Sequence, residues 1–317
     1  MSIIVSDFTA IGAAVLLAAV GGEAFLKAIL SAATHLRVSR ALIASTLAAF
    51  ATSSPELTVS ATAAIAGQPE IGLGDALGSN VVNIALVFGL ALLLGPIATK
   101  PGDFGRDFRL ALAAPALTLI LCIDGSLDRL DAAVLLAAFT LWLTLSLRAG
   151  MKERAEGLPD TDPPVLSPLP TLLIGLAGLG ALIMAGHLFV AGAQGMAASW
   201  GLNTYVIGAI VVALGTSLPE LVTVILARLR GHDDVGVGTL MGSNIFNGLA
   251  IVGMAGSIHP IVTPLASVAP TLVVGSLALL MLKPRAGGLI PPSRGLMLLG
   301  LYVSALLAML GSLGRMP

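Results

Sequence analysis

The chain has 317 residues, of which 56% are hydrophobic and only 10% are charged, and its formal net charge at pH 7 is −1. A mean hydropathy of +1.00 excludes a soluble globular domain. A net charge this close to zero also gives no reason to expect a nucleic-acid partner. We therefore predict a protein that lies in a lipid bilayer.

About ten apolar stretches approach the roughly 20 residues that a helix needs to cross the hydrocarbon core. They are continuous, whereas a β-barrel would show short segments of alternating hydropathy. Several exceed one span and contain Gly or Pro, so interrupted helices are expected. The stretches are 8–34, 40–66, 71–98, 107–123, 128–148, 168–197, 203–228, 235–262, 264–282 and 294–314. The predicted fold class is an all-α polytopic membrane protein with about ten transmembrane helices.

The positions of Lys and Arg predict the orientation of the chain. With the N-terminus outside, 13 of the 16 basic residues fall in inner loops, and the outer loops collect acids instead. Residues 1–30 contain neither a basic start nor a small-residue cleavage site, so no removed signal peptide is expected. We predict an integral protein of a prokaryotic inner membrane, with its central loop in the cytoplasm.

Two polar signatures each occur twice inside the apolar stretches. The first reads ATSSPEL at 51–57 and GTSLPEL at 215–221, and the second reads GSNVVN at 78–83 and GSNIFN at 242–247. Both pairs are 164 residues apart, and 13 of the 32 positions in the two repeat windows are identical without a gap. The chain is therefore a tandem of two related halves, and a site is expected where they meet.

The predicted domain organisation follows from this repeat. Residues 1–148 form the first five-helix repeat, 149–167 form a short cytoplasmic linker, and 168–317 form the second repeat. Because the number of spans in each half is odd, the second half must cross the membrane in the opposite sense to the first. The expected result is a pair of inverted repeats related by a pseudo-twofold axis in the membrane plane.

Glu56 and Glu220 carry the chemistry of the first signature. A charged side chain near the bilayer centre costs on the order of 2.5 to 3.5 kcal/mol, and neither signature contains a Lys or Arg. Each glutamate follows a proline, which opens the helix hydrogen-bond ladder at Ala51 and Gly215. The freed carbonyls and the neighbouring hydroxyls are hard oxygen ligands, which suit Ca²⁺, Mg²⁺ or Na⁺ better than soft metals.

The second signature supplies further oxygens. Ser79 and Asn83, like Ser243 and Asn247, are four residues apart and therefore share one helix face. Glycines in the same stretches give these helices a small surface that permits close packing. We therefore expect four helices to pack tightly around the two carboxylates. The glycines are Gly72, Gly74, Gly78, Gly236, Gly238 and Gly242.

The paired motifs A/G-T-S-x-P-E and G-S-N-x-x-N resemble the α-repeats of the cation/calcium antiporter superfamily, most closely its prokaryotic sodium/calcium exchanger branch. The resemblance covers nearly the whole chain. It implies a secondary antiporter, not an enzyme, that exchanges Ca²⁺ against Na⁺ by alternating access, with the first and sixth helices sliding against the rest. It implies no cofactor beyond the transported ions. One chain contains both repeats, so a monomer is sufficient.

The resemblance also assigns roles to residues. Glu56 and Glu220 would be the shared Ca²⁺ ligands, assisted by main-chain oxygens at Thr52 and Thr216. Asn83 and Asn247 would line the middle of the site. Flanking Na⁺ positions would use Ala49, Ser53, Ser79 and Ser217 on one side, and Ala213, Ser217, Ser243 and Ser53 on the other.

Two positions are unusual. Some relatives have an aspartate where Asn247 stands, so the centre is expected to hold two ionisable groups, whose charge one Ca²⁺, two Na⁺ or two protons would balance. Asp75, opposite Thr239 in the repeat, is a candidate entrance charge near the outer end of the third span.

Several alternatives stay open from the sequence. Carboxylates and hydroxyls do not distinguish Na⁺ from H⁺ as the coupling ion, so a proton-coupled exchanger of Ca²⁺ or another divalent cation is the alternative function. An intramembrane enzyme is disfavoured because neither motif contains a nucleophile with a nearby base. A channel would conduct without a counter-ion, and a scaffold would have no reason to bury two unpaired glutamates.

Other polar residues have simpler interpretations. Asn80 and Asn244 are expected to make hydrogen bonds between helices. Glu23 is expected to pair with Lys27, four residues later. The equivalent of Glu23 in the second half is His187, which leaves an alternative in which both side chains face the ion path.

Overall fold

Helices make up most of the chain. The computed structural model describes residues 2–99, 101–157, 166–199, 214–284 and 287–313. In chain order, the helices are α1 (Ser2–Leu36), α2 (Arg40–Thr52), α3 (Ser54–Ile65), α4 (Pro69–Leu93), α5 (Pro101–Leu121), α6 (Arg129–Ala155), α7 (Pro168–Ser199), α8 (Leu218–Leu229), α9 (Asp233–Ile258), α10 (Leu265–Met281) and α11 (Pro292–Leu313). Among the described helices, α1, α4, α6, α7 and α9 are each long and apolar enough to cross a membrane.

The predicted apolar stretches correspond to these helices, which confirms the all-α polytopic membrane fold. Two ends differ, because the predicted stretches 71–98 and 235–262 run beyond α4 and α9 into short strands. The stretch 40–66 is two helices, α2 and α3, separated at Ser53. Part of the stretch 203–228 lies outside the described residues, and its described remainder includes most of α8.

In the part of the chain that the structure describes, two pairs of short antiparallel strands join the halves. β1 (Ile97–Ala98) pairs with β4 (Leu289–Ile290), and β2 (Ser126–Leu127) pairs with β3 (Ile261–Val262). β1 and β3 follow α4 and α9, whereas β2 and β4 precede α6 and α11. Each pair therefore connects a helix end in one half to a helix start in the other. Strands of two residues show no periodicity, so the sequence did not predict them.

The helix that contains the first signature breaks at a serine in each half. Ser53 has φ −84° and ψ 9°, and Ser217 has φ −83° and ψ 7°. A proline follows in the first turn of the next helix, where its missing N–H costs no helical hydrogen bond. The two breaks therefore share one conformation, and each places a glutamate in the first turn of the following helix.

Among the described residues, three stretches of π-helix interrupt the regular winding of the core helices. They lie at Ala44–Ala48 in α2, Val82–Phe88 in α4 and Phe246–Ile251 in α9. The last two occupy equivalent positions in the repeat, and they contain Asn83 and Asn247, the final asparagines of the second signature. π-Helical turns are rare in proteins overall, but those that occur are often at functional sites. Their positions therefore favour Asn83 and Asn247 as residues of a functional site.

Glycines permit α1 and α7 to pack closely against each other. A Cβ on Gly178 would lie 2.7 Å from the backbone nitrogen of Phe25 and 2.8 Å from the carbonyl oxygen of Gly21. Small residues at such a crossing let two helix backbones approach closely. α1 and α7 share a small core with α2 and α8, and this core is separate from the main one, which α4, α5, α6, α9, α10 and α11 largely build.

Replacing Gly178 with valine is expected to lower the thermal-unfolding midpoint in detergent. Forcing extra atoms into a packed contact costs about 1–3 kcal/mol, and each kcal/mol lowers the midpoint by roughly 2–4 °C in a protein of this size class. Gly180→Val on the same helix is the matched control, because a Cβ there would meet no described atom within 4 Å. Equal midpoints for the two variants would contradict this account of the α1–α7 contact.

Candidate ion-binding site

Most of the residues predicted to bind ions are excluded from solvent in the centre of the bundle. Those with at most a trace of exposed surface are Ala49, Thr52, Ser53, Glu56, Ser79, Asn83, Ser217, Glu220, Ser243 and Asn247. Thr216 is half-buried. Ala213 lies outside the described residues, so its predicted role as a flanking ligand stays a prediction. The remaining question is which of these side chains contact one another.

Each glutamate is hydrogen-bonded to the serine at which the opposite half breaks. Ser53 Oγ donates to Glu220 Oε1 over 3.1 Å, and Ser217 Oγ donates to Glu56 Oε1 over 3.5 Å. The second contact is the repeat equivalent of the first. The two halves are therefore joined to each other through the carboxylates themselves.

Further hydroxyls surround the two carboxylates. Ser243 Oγ donates to Glu220 Oε1 over 3.2 Å and lies 3.5 Å from Thr52 Oγ1. Ser79, the repeat equivalent of Ser243, is buried near Glu56, but its Oγ makes no hydrogen bond with a described residue. The second signature thus brings one hydroxyl to each glutamate, as its spacing predicted.

One oxygen of each glutamate lacks a hydrogen-bond partner among the described residues. Glu56 Oε2 and Glu220 Oε2 are buried, and no described residue donates a hydrogen bond to either. The side-chain amides of Asn83 and Asn247 are buried without a described partner as well. Burial of unpartnered polar atoms is costly and uncommon. These atoms are therefore available as ligands, and a cation bound to them would offset the cost of their burial.

No basic side chain neutralises the two glutamates within the described part of the chain. The ion pairs found among the described residues involve Glu23, Asp107, Glu156 and Asp233 instead. The described residues also contain no group of three His, Cys, Asp or Glu side chains that could hold a metal ion. A cation would therefore be held by two carboxylates together with hydroxyl, amide and carbonyl oxygens, a donor set that Ca²⁺ accepts.

The carbonyls of Ala51 and Gly215, which the prolines leave without a helical hydrogen bond, contact other groups. Ser54 Oγ donates to the carbonyl of Ala51, so the expectation that this group is left free was wrong. A hydroxyl three residues later in the chain satisfies it locally. The Gly215 carbonyl packs against α7, where a Cβ on Gly186 would lie 2.5 Å from its oxygen.

Ala49, predicted as a flanking Na⁺ ligand, already uses its carbonyl oxygen. This oxygen accepts from the Ser53 N–H over 3.0 Å and from Thr52 Oγ1 over 3.3 Å. A carbonyl has two lone pairs, so a cation at this oxygen would compete with both hydrogen bonds. The role of Ala49 as a ligand therefore stays a prediction.

A glycine brings α9 close to α2 at the site. A Cβ on Gly242 would run into the carbonyl oxygen of Ser45 and would lie 2.7 Å from Ala49 Cβ. The helices therefore touch backbone to backbone here, and Ser243 follows directly in α9. Close packing at this glycine is what the sequence predicted. At Gly78, by contrast, a Cβ would meet no described atom within 4 Å.

Asn80 and Asn244 bind each other's backbones across the centre. Asn80 Nδ2 donates to the Asn244 carbonyl over 3.2 Å, and Asn244 Nδ2 donates to the Asn80 carbonyl over 3.3 Å. These reciprocal bonds link α4 to α9. The prediction that both asparagines make hydrogen bonds between helices is confirmed.

Glu23 is engaged in ion pairs instead of facing the site. Its carboxylate lies 3.7 Å from Lys27 Nζ and 2.9 Å from an Arg230 guanidinium nitrogen, and His187 is exposed. The predicted pair with Lys27 is confirmed, and the alternative in which Glu23 and His187 face the ion path was wrong. Arg230 was missed because the sequence does not show that α1 passes the end of α8.

Known proteins resemble the whole chain. A family model described as sodium/calcium exchanger protein matches residues 7–148 and again 170–311. CaxA of Alkalimonas amylolytica is 36% identical over 270 residues, 82% of this chain and 84% of CaxA. Inner membrane protein YrbG of Escherichia coli is 33% identical over 226 residues, 69% of this chain and 70% of YrbG. The structure of the sodium/calcium exchanger from Methanococcus jannaschii aligns with a TM-score of 0.80 and 28% identity over 96% of this chain and 98% of its own.

Two neighbouring asparagines are expected to differ in their contribution to stability. Asn80→Ala removes one amide donor of the reciprocal pair and leaves the Asn244 carbonyl without it, which should cost about 1–3 kcal/mol. Asn83→Ala, one turn away, removes an amide that has no described partner and should leave stability nearly unchanged. Thermal unfolding in detergent, without added Ca²⁺ or Na⁺, tests this. A larger loss for Asn83→Ala than for Asn80→Ala would contradict the assignment.

Proposed function

Because the chain belongs to the sodium/calcium exchanger family, we propose that it exchanges Ca²⁺ for Na⁺ across the membrane at the site between its halves. The observation that carries this proposal is the pair of buried glutamates, each with one oxygen that no described residue satisfies. Each glutamate is held by a serine of the other half. A cation between them would be shared by both halves, as expected for a transporter with its site at a repeat interface.

Charge balance favours exchange over co-transport. Two ionised glutamates carry a charge of −2, which one Ca²⁺ or a pair of Na⁺ ions would neutralise. Binding both sets at once would leave excess positive charge in the membrane interior, which is costly. The two ion sets would therefore exclude each other from the site. Ca²⁺ fits such a flexible oxygen cage better than Mg²⁺, which gives up its water reluctantly.

The residue roles in this proposal follow the family pattern. Glu56 and Glu220 bind Ca²⁺ with main-chain oxygens of Thr52 and Thr216, and the contacts of both carboxylates with serines of the opposite half support this assignment. Flanking Na⁺ ions use the serine hydroxyls around the carboxylates. The full proposed ligand set is Ala49, Thr52, Ser53, Glu56, Ser79, Asn83, Ala213, Thr216, Ser217, Glu220, Ser243 and Asn247.

Alternating access would be achieved by sliding α1 and α7, which are the first and sixth predicted spans, together. Their glycine crossing supports movement as one unit. The sliding surface would be the small core that they share with α2 and α8. The ion pair between Glu23 and Arg230 lies between α1 and the end of α8. If α1 slides, this ion pair would have to break, or the Arg230 side chain would have to move with Glu23.

The architecture around the site is part of the same proposal. Residues 1–148 and 168–317 would be the inverted repeats, with 149–167 as the cytoplasmic linker, and the separate family matches to the two halves support this division. We place the protein in the cell membrane with its N-terminus outside, consistent with the positions of Lys and Arg. One chain supplies both glutamates, so a monomer would suffice for transport.

The test is uptake of radiolabelled Ca²⁺ into proteoliposomes loaded with Na⁺. Uptake should require the outward Na⁺ gradient, and it should fall at least about tenfold in Glu56→Gln and Glu220→Gln, because each change removes a full charge from direct contact with the ion. Glu70→Gln is the matched control, since Glu70 is exposed at the start of α4, and it should transport like the unmodified protein.

The alternatives give different results in the same assay. Uptake driven by a pH gradient and indifferent to Na⁺ would replace the proposal with proton-coupled exchange of Ca²⁺. Uptake that needs no counter-ion would indicate a channel. Na⁺-driven uptake that survives both glutamate substitutions would show that these residues are not the Ca²⁺ ligands.

A further inference from the structure

Asp75 lies closer to the ion-binding centre than an entrance charge would. It is in α4, one turn before Ser79 and on the same helix face. Its carboxylate lies near the side chain of Thr216, which belongs to the other half. Its second oxygen, Oδ2, is buried and has no described hydrogen-bond partner. Asp75 therefore spans the two halves, as Glu56 and Glu220 do.

The charge of Asp75 acts on both glutamates. Asp75 repels Glu56 and Glu220 electrostatically, and it takes part in none of the ion pairs among the described residues. The three acids do not converge as ligands of one metal ion. The region thus contains a third carboxylate that stands apart from the position between the glutamates and has no basic partner.

A purely structural role does not account for this arrangement. An asparagine would make the same contact with the Thr216 side chain without bringing a charge. Asp75 is partly buried, and its buried Oδ2 has no described partner. Such an oxygen beside two acidic neighbours is costly unless a cation joins it. Glu56 Oε2, fully buried and also without a described partner, shows that more than one oxygen in this region is free to accept a cation.

We propose that Asp75 and Thr216 form a separate subsite for a monovalent cation, Na⁺, beside the central position. This inference rests on the proposed exchange function and deepens it. The subsite lies between the glutamates and the membrane face at which α3 turns into α4. Its equivalent near the other face is Thr239, which is buried and uncharged. The two ends of the ion path therefore differ in charge, although the glutamates are arranged symmetrically.

The subsite has two consequences for transport. One more Na⁺ binds than the two glutamates alone would require, so the Na⁺ dependence of transport becomes steeper. The additional Na⁺ also binds with unequal strength from the two faces, because a carboxylate stands near only one of them. Both consequences can be measured without knowing the physiological direction of exchange.

The experiment compares right-side-out and everted membrane vesicles and titrates Na⁺ on each face while radiolabelled Ca²⁺ flux is recorded. In Asp75→Asn, the Na⁺ concentration for half-maximal flux should rise about tenfold from one face, with little change from the other. The Hill coefficient for Na⁺ should fall by about one. Glu70→Gln, which removes an exposed charge at the start of the same helix, should change neither quantity.

A double variant, Asp75→Thr with Thr239→Asp, moves the acid to the equivalent place in the other half. The face with the stronger Na⁺ dependence should then be reversed.

Thr216→Val removes the hydroxyl of the subsite and keeps the main chain, so it provides a second measurement if Asp75→Asn folds poorly. It should weaken Na⁺ dependence from the same face as Asp75→Asn.

The outcomes separate this inference from the function on which it rests. Unchanged Na⁺ dependence on both faces in Asp75→Asn or Thr216→Val, with Na⁺-driven Ca²⁺ flux intact, overturns the subsite and leaves the exchange function standing. A loss of thermal stability without any change in Na⁺ dependence would assign Asp75 to packing and equally overturn it. Absence of Na⁺-driven flux in the unmodified protein would instead overturn the proposed function.

Discussion

Two carboxylates buried in an apolar bundle without a basic partner constrain the rest of this structure. A lone charge in such a place is costly, so the surrounding chain must offer hydrogen bonds that the glutamates cannot obtain from water. Helix breaks at Ser53 and Ser217 meet this need, because each places a hydroxyl against the glutamate of the opposite half. Ser243 of the same half also donates to Glu220, but the hydroxyl at each helix break comes from the opposite half.

The dependence of each half on the other extends outward from the glutamates. Asn80 and Asn244 exchange hydrogen bonds between α4 and α9, and the two strand pairs connect helix ends across the halves. These contacts bind the core helices into one unit, while α1 and α7 pack on a separate core. A cation at the centre would act on the same carboxylates that hold the halves together, so under the proposed function its binding would affect how the helices are arranged.

The two repeats differ at positions that affect the chemistry of the site. Ser54 satisfies the carbonyl of Ala51, but Leu218 at the equivalent position has no hydroxyl. Asp75 contributes a carboxylate on one side of the centre, and Thr239 contributes none on the other. The two faces of a transporter meet solutions of different composition. Such differences between the two repeats would allow the site to bind ions with unequal strength from the two membrane faces.

Local patterns in the sequence determined much of this protein. Continuous apolar stretches are long enough to predict helices, and two motifs at one offset of 164 residues predict Glu56 and Glu220 as ion ligands. The tertiary structure alone decided the partners of Asp75, Ala51 and Glu23, the π-helical turns, and which glycines touch a neighbouring backbone. The physical reason is that side chains in the membrane find partners on other helices, often more than 100 residues away in the chain, as Arg230 does for Glu23. Such pairings depend on the rotation and depth of each packed helix, which no local pattern of hydropathy specifies.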